Sequence, residues 1–227
     1  MYFTNPYYRQ VPDGQEQVNF YNREIRVTGE GVLSVQPDQA EVSLGVSSEG
    51  MELKEVQREN GAVITQIIQA VQSVGVKAED IQTIEYSIYP VYDFVDNTQT
   101  LRGYKVNHIL NIPVTDIQNV GLVVDTAVSN GANTVSNISF SISNRQIVYQ
   151  QALAMAVENA ILKASTIARK LQIRLITPPF QISENTHGGV QPPSPYGDMV
   201  KSAATTPVSP GTLEVKASIT ARFLFSF

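Results

Sequence analysis

The residues whose type could support acid–base chemistry are three carboxylates, Glu41, Glu85 and Asp93. A working carboxylate pair needs one member held protonated by burial or by its neighbour. Each of these three falls on the polar phase of an alternating apolar–polar segment, where a carboxylate is solvated. The chain has no Cys and two His, His108 and His187. That removes disulfides, thiolate nucleophiles and Cys-metal sites, and leaves too few imidazoles for a His-based metal cluster. No catalytic residue, cofactor or metal is expected, and the chain reads as a non-enzyme. Gly29-Glu30-Gly31 has the spacing that opens a phosphate loop, but strand-like sequence follows it where a helix would be needed. It reads instead as a bulge or turn that uses glycine's freedom at positive φ. Lys163, Arg169, Lys170 and Arg174 cluster near a helix end, where positive charge complements the dipole without a ligand. Asn60 lies in an apolar stripe and is expected to bond to nearby backbone. Asn137-Ile138-Ser139 is a glycosylation sequon, of no consequence without secretion.

The element that must position much of the chain is Tyr149 to Leu171. Leu153, Ala156, Val157, Ala160, Ile161, Ala164, Ile167, Ala168 and Leu171 recur at steps of three and four. That puts them on one face of a helix of about six turns. Its Ala-rich stripe allows close approach to a neighbour, expected to be a sheet. A second helix spans Leu53 to Val74 on a stripe of Leu53, Val56, Ile64, Ile67, Ile68 and Val71, ended by Gly75. A short one runs Ile117 to Ser129, capped by Asp116 and stopped by Asn130-Gly131. Strands are read at 24–28, 32–35, 40–48 and 134–143. A hairpin is read at 81–94 and 102–114, joined through 95–101. The strand 173–183 is interrupted by Pro178-Pro179, which suggests an edge or bulge. The last strand, Thr212 to Phe227, alternates cleanly, with Leu213, Val215, Ala217, Ile219, Ala221, Phe223 and Phe225 on one face. His108 falls on the apolar face of its strand and reads as a buried or rim histidine.

The order suggests two β-α-β-β-like units, 40–114 and 134–227. The fold class is α+β, mostly antiparallel sheet with two long helices and one short helix packed on it. Residues 1–22, with Tyr2, Phe3, Tyr7 and Tyr8, read as a flexible Tyr/Asn/Gln/Pro-rich arm, and 23–227 as a single domain with a long loop at 184–210.

With 227 residues and 42% hydrophobic content, about 70% of the unfolded surface can be buried. The net charge of -5 argues against nucleic acid, whose phosphates demand a basic surface. No apolar run reaches the ~18 residues of a membrane span. The N-terminus lacks the basic and apolar regions of a secretory signal, so a cytoplasmic location is expected.

Six stretches in this order resemble one known family: VTGEGVLSVQPDQAEVSLGV, GVKAEDIQTIEYSIYPVYDF, GYKVNHILNIPVTD, GANTVSNISFSIS, the helix ending KASTIARKL, and PVSPGTLEVKASITARF. The chain is similar to the SIMPL domain family over about residues 24–227. The resemblance implies a bacterial, non-enzymatic protein, often linked to stress tolerance, with undefined molecular activity. It also implies that some relatives assemble into large rings, and that bacterial relatives commonly carry a signal peptide, which this N-terminus does not resemble. The expected function is protein–protein contact or self-assembly, as a homo-oligomer with an unidentified protein partner. Unpaired edges on the C-terminal strand and on the proline-interrupted strand would supply the contacts. The alternative is a small-ligand or peptide-binding module. Its cleft would lie under the 184–210 loop, lined by Tyr86, Tyr92 and Tyr104, with His187, Tyr196 and Met199 as loop contacts. Those tyrosines also suit ordinary packing on a sheet face.

Overall fold

The computed structural model describes residues 23–95, 98–185, 190–194 and 206–227. The arm at 1–22 and the loop residues His187, Tyr196 and Met199 lie outside the described residues. The fold is mixed α+β. Its elements are β1 (Glu24–Val35), β2 (Gln39–Gly50), α1 (Leu53–Ser73), β3 (Gln82–Val95), β4 (Thr98–Val114), α2 (Val120–Ser129) and β5 (Thr134–Ser141). They continue with α3 (Arg145–Lys170), β6 (Arg174–Leu175), β7 (Gln181–Glu184), β8 (Val190–Ser194) and β9 (Thr212–Ser226). The chain divides into two compact units: Met1–Gly31, Leu153–His187 and Ser218–Phe227 in the first, Val32–Ala152 and Gly188–Ala217 in the second.

The second unit holds a four-stranded sheet of order β3-β4-β2-β5, antiparallel at every step. Alternation on β2 buries Val42, Leu44 and Val46 on one face, as period-2 patterning requires. The register sets Val42 opposite Ile112 and Leu44 opposite Leu110. α1 and α2 pack on this face, and Ile64, Ile67, Val71, Val123 and Ala127 complete the core. Burying each large aliphatic side chain there stabilises by about 1.5–3 kcal/mol. α1 ends where Gly75 takes φ of 101°, a left-handed value that glycine adopts without a Cβ penalty. Asp116 accepts from the Gln118 N–H at 3.1 Å, capping a 3₁₀ turn that leads into α2.

Several boundaries differ from the sequence reading. The hairpin is tighter than its polar connection suggested, because Thr98–Leu101 pair with β3 and extend β4. β5 joins β2 in this sheet and not β9. The 184–210 segment contains β8, which pairs with Thr212–Val215 of β9, its register shifting between Gln191 and Ser194. Pro192 and Pro193 fall in that gap and have no N–H to donate.

In the first unit, residues 218–226 of β9 are flanked by β1 on one side and by β6 and β7. β9 is therefore a central strand, and the open edge expected on it is occupied. The Pro178-Pro179 interruption separates β6 from β7, both of which pair with β9. Gly29-Glu30-Gly31 is not a turn: β1 runs unbroken through it, without positive φ at Gly29 or Gly31. The glycine serves close approach instead. A Cβ on Gly29 would stand 2.8 Å from the Ala160 Cβ and nearer still to the Ala156 carbonyl oxygen. Ala152, Ala156, Ala160, Ala164 and Ala168 are the buried stripe of α3. Leu171, expected on that stripe, is 62% exposed.

Candidate functional site

The expected lining tyrosines stand on two neighbouring strands, Tyr86 and Tyr92 on β3 and Tyr104 on β4. Tyr86 stands on β3, its hydroxyl accepting from Gln57 Nε2 of α1 at 3.1 Å. Its ring meets the His108 ring edge-on, with centroids 5.2 Å apart. Tyr92 is exposed and lies opposite Leu101. Tyr104 is half-buried, between Pro90 of β3 and Gly50 of β2. Two grooves among the described residues stand apart from these tyrosines. One, of about 570 Å³, is lined by Val27, Thr28, Leu162, Lys163, Thr166 and Ile167. The other, of about 230 Å³, runs from Val74–Lys77 to Thr115–Asp116. None of the three tyrosines lines either one.

His108 occupies the apolar face, as its strand phase required. Its Nε2 lies 3.1 Å from Thr83 Oγ1, while its buried Nδ1 has no hydrogen-bond partner. Burial holds its pKa below the ordinary histidine value. Asn60, 0% exposed, donates from Nδ2 to the carbonyls of Val46 at 3.2 Å and Val106 at 3.3 Å, and to Ser48 Oγ. It ties α1 to both central strands, which is the backbone role its stripe position suggested.

The three carboxylates each have their own partner. Glu41 accepts from Asn111 at 3.2 Å and Glu85 from Ser87 at 2.9 Å. Asp93 stands 3.6 Å from Arg102, which also bonds Glu49. Among the described residues no three His, Asp or Glu side chains are arranged to hold a metal ion. Two other carboxylates act as clips. Asp38 accepts from the Ser143 N–H at 2.7 Å and from its hydroxyl at 2.6 Å. Asp125 accepts from the Thr206 N–H at 2.9 Å and from its hydroxyl. In both, the hydroxyl bond first and then the N–H bond hold the carboxyl below its ordinary pKa.

Two features had no distinct signal in the sequence. The first is the outer position of β3, which leaves Ile84, Tyr89, Tyr92 and Phe94 exposed, Phe94 by 76%. The second is on α3. Lys163 does not simply face the helix dipole: its Nζ donates to the Thr28 carbonyl at 2.9 Å. One turn earlier, Asn159 Oδ1 accepts from the Glu30 N–H at 3.1 Å. Arg169 and Lys170 do fill the last turn of α3.

This is an α+β protein of antiparallel ladders with three α-helices among its described residues. The chain belongs to the SIMPL family, described as a protein of unknown function (DUF541), whose model matches residues 25–223. It is similar to the 26 kDa periplasmic immunogenic protein of Brucella melitensis, 31% identical over 159 residues, or 68% of this chain and 64% of that protein. The same figures hold for the protein of that name from Brucella abortus. It is also similar to the uncharacterized protein YggE of Escherichia coli K12, 22% identical over 200 residues, 88% of this chain and 76% of YggE. The match thus spans less than two thirds of the Brucella relatives. Their name gives no support to the cytoplasmic location expected above. No helix among the described residues is long and apolar enough to cross a membrane.

Proposed function

We propose that this SIMPL protein acts without catalysis, through protein contacts that include self-assembly, and that β3 is its contact strand. The observation that carries this reading is the outer position of a fourteen-residue strand on which Ile84, Tyr86, Tyr89, Tyr92 and Phe94 are 44–76% exposed. An unpaired edge offers free N–H and C=O groups, and exposed aromatics supply apolar area around them. Pro90 has no N–H, so an added strand pairs with the stretches on either side of it. The separate partners of Glu41, Glu85 and Asp93 support the non-enzymatic part. The periplasmic name of the Brucella relatives favours the same compartment for this chain. A role in stress tolerance rests on the family resemblance and adds no residue to this reading.

Light scattering on size-exclusion fractions tests it. The full chain should run as a discrete assembly, and Tyr92→Lys with Phe94→Lys should lower its mass while the circular dichroism stays native. A wild type that is monomeric at tens of micromolar and unaffected by these changes would remove self-assembly.

A further inference from the structure

β1 is the outermost strand of its sheet, with β9 as its one neighbour strand among the described residues. The Arg23 carbonyl accepts from the Phe225 N–H. Backbone groups alternate sides along a strand, so Ile25, Val27 and Gly29 turn theirs toward β9, and Arg26, Thr28 and Glu30 turn theirs outward. Outward groups at the centre of this edge are already taken. Lys163 holds the Thr28 carbonyl and Asn159 holds the Glu30 N–H. The two residues are four apart on α3, so they reach the edge from adjacent turns of one helix. The side chains of Arg26, Thr28 and Glu30 are exposed.

The order of those three residues is self-complementary. An antiparallel pairing of two copies of β1 about Thr28 sets Thr28 opposite Thr28. It also sets Arg26 opposite Glu30, twice by symmetry. Threonine pairs and opposite charges facing each other across strands are both favourable. The same patch meeting itself is what a two-fold contact requires. Beside the edge lies the 570 Å³ groove lined by Val27, Leu162 and Ile167, which gives an incoming strand apolar wall.

We infer that the outer edge of β1 is a strand-docking surface for a second copy of this chain, held closed by Asn159 and Lys163. The inference concerns a different strand from β3 and does not depend on the reading above. The plug is local: two side-chain bonds on the surface of one unit, replaceable without disturbing a core.

Analytical ultracentrifugation of the full chain tests this, with Lys163→Met, Asn159→Leu and the double variant. The double variant should self-associate at least tenfold more tightly than wild type, and Lys163→Met alone should move the same way. Lys163→Arg, which keeps a donor, should stay near wild type. Adding Glu30→Arg to the double variant should abolish the gain, since Arg then faces Arg. Adding Arg26→Glu as well should restore it. Hydrogen exchange at the Glu30 amide should speed up in Asn159→Leu at low protein concentration. An unchanged association constant in a natively folded double variant, or a gain indifferent to Glu30→Arg, would overturn the proposal. Single Lys163→Met decides the matter if the double variant does not fold.

Discussion

A Cβ placed on Gly29 would stand 2.8 Å from the Cβ of Ala160. Strand β1 and helix α3 are therefore in contact at a distance that only the smallest side chains permit. Gly29→Ala should destabilise by about 3 kcal/mol, the upper end of overpacking costs, because the Ala156 carbonyl that it also meets is backbone and cannot swing aside. Gly29→Val and Ala160→Leu should cost at least as much. Urea unfolding with an unchanged m-value is the measurement; a Gly29→Ala midpoint within error of wild type would refute the close contact.

Asn60 bridges the Val46 and Val106 carbonyls from a fully buried position. Asn60→Ala should cost about 2–3 kcal/mol, a lost buried hydrogen-bond group plus a small cavity. Asn60→Asp should be worse at pH 7, where an anion would face acceptor oxygens. The carboxyl would have a folded pKa raised above its unfolded value, so that penalty should shrink as pH falls toward 4. Equal destabilisation of Asn60→Asp at pH 7 and pH 4.5 would show that the acceptor cluster is not as described.

Burial lowers the pKa of His108. A group with a depressed folded pKa contributes stability that is complete above its unfolded value, about 6.5 for histidine, and is lost as pH falls through the folded value. Denaturation midpoints should therefore decline below about pH 6.5 by up to one proton's worth of linkage. His108→Gln should flatten that slope. An NMR titration placing the His108 pKa above 6.5 would reverse the sign and end this account.

Asp38 and Asp125 also have depressed pKa values, each through bonds from Ser143 or Thr206. Their contribution is complete above the unfolded value of about 3.9 and is lost as pH falls below it. Both clips are exposed, so the effect is local. Asp125→Ala should speed amide exchange at Thr206 and leave the global midpoint nearly unchanged. Asp38→Ala should do the same at Ser143. A global loss above about 2 kcal/mol in either would mean that the clip holds more than its own segment.

Residue types and spacing were enough for the helices and for the faces of the strands. α1 and α3 follow their three- and four-residue periods, Asp116 caps as its position asks, β9 alternates from Thr212 to Phe223, and Asn60 and His108 sit on the apolar faces their phases assign. Those are local properties, set by neighbours within a turn or two residues along a strand. Only tertiary structure decided which strands are central and which are edges. β9 has the alternation of a half-buried strand whether or not a neighbour covers its sides, and it is flanked on both. β5 could have paired with β9 and pairs with β2. Gly29 reads as a turn until α3 lies against it, and Lys163 reads as a dipole partner until Thr28 arrives beside it. The bond from Lys163 joins residues 135 apart in sequence, and that from Asn159 joins residues 129 apart. No local pattern records such a pairing, because strand neighbours are chosen by where chain segments meet in the fold, while alternation records only which face of a strand is dry.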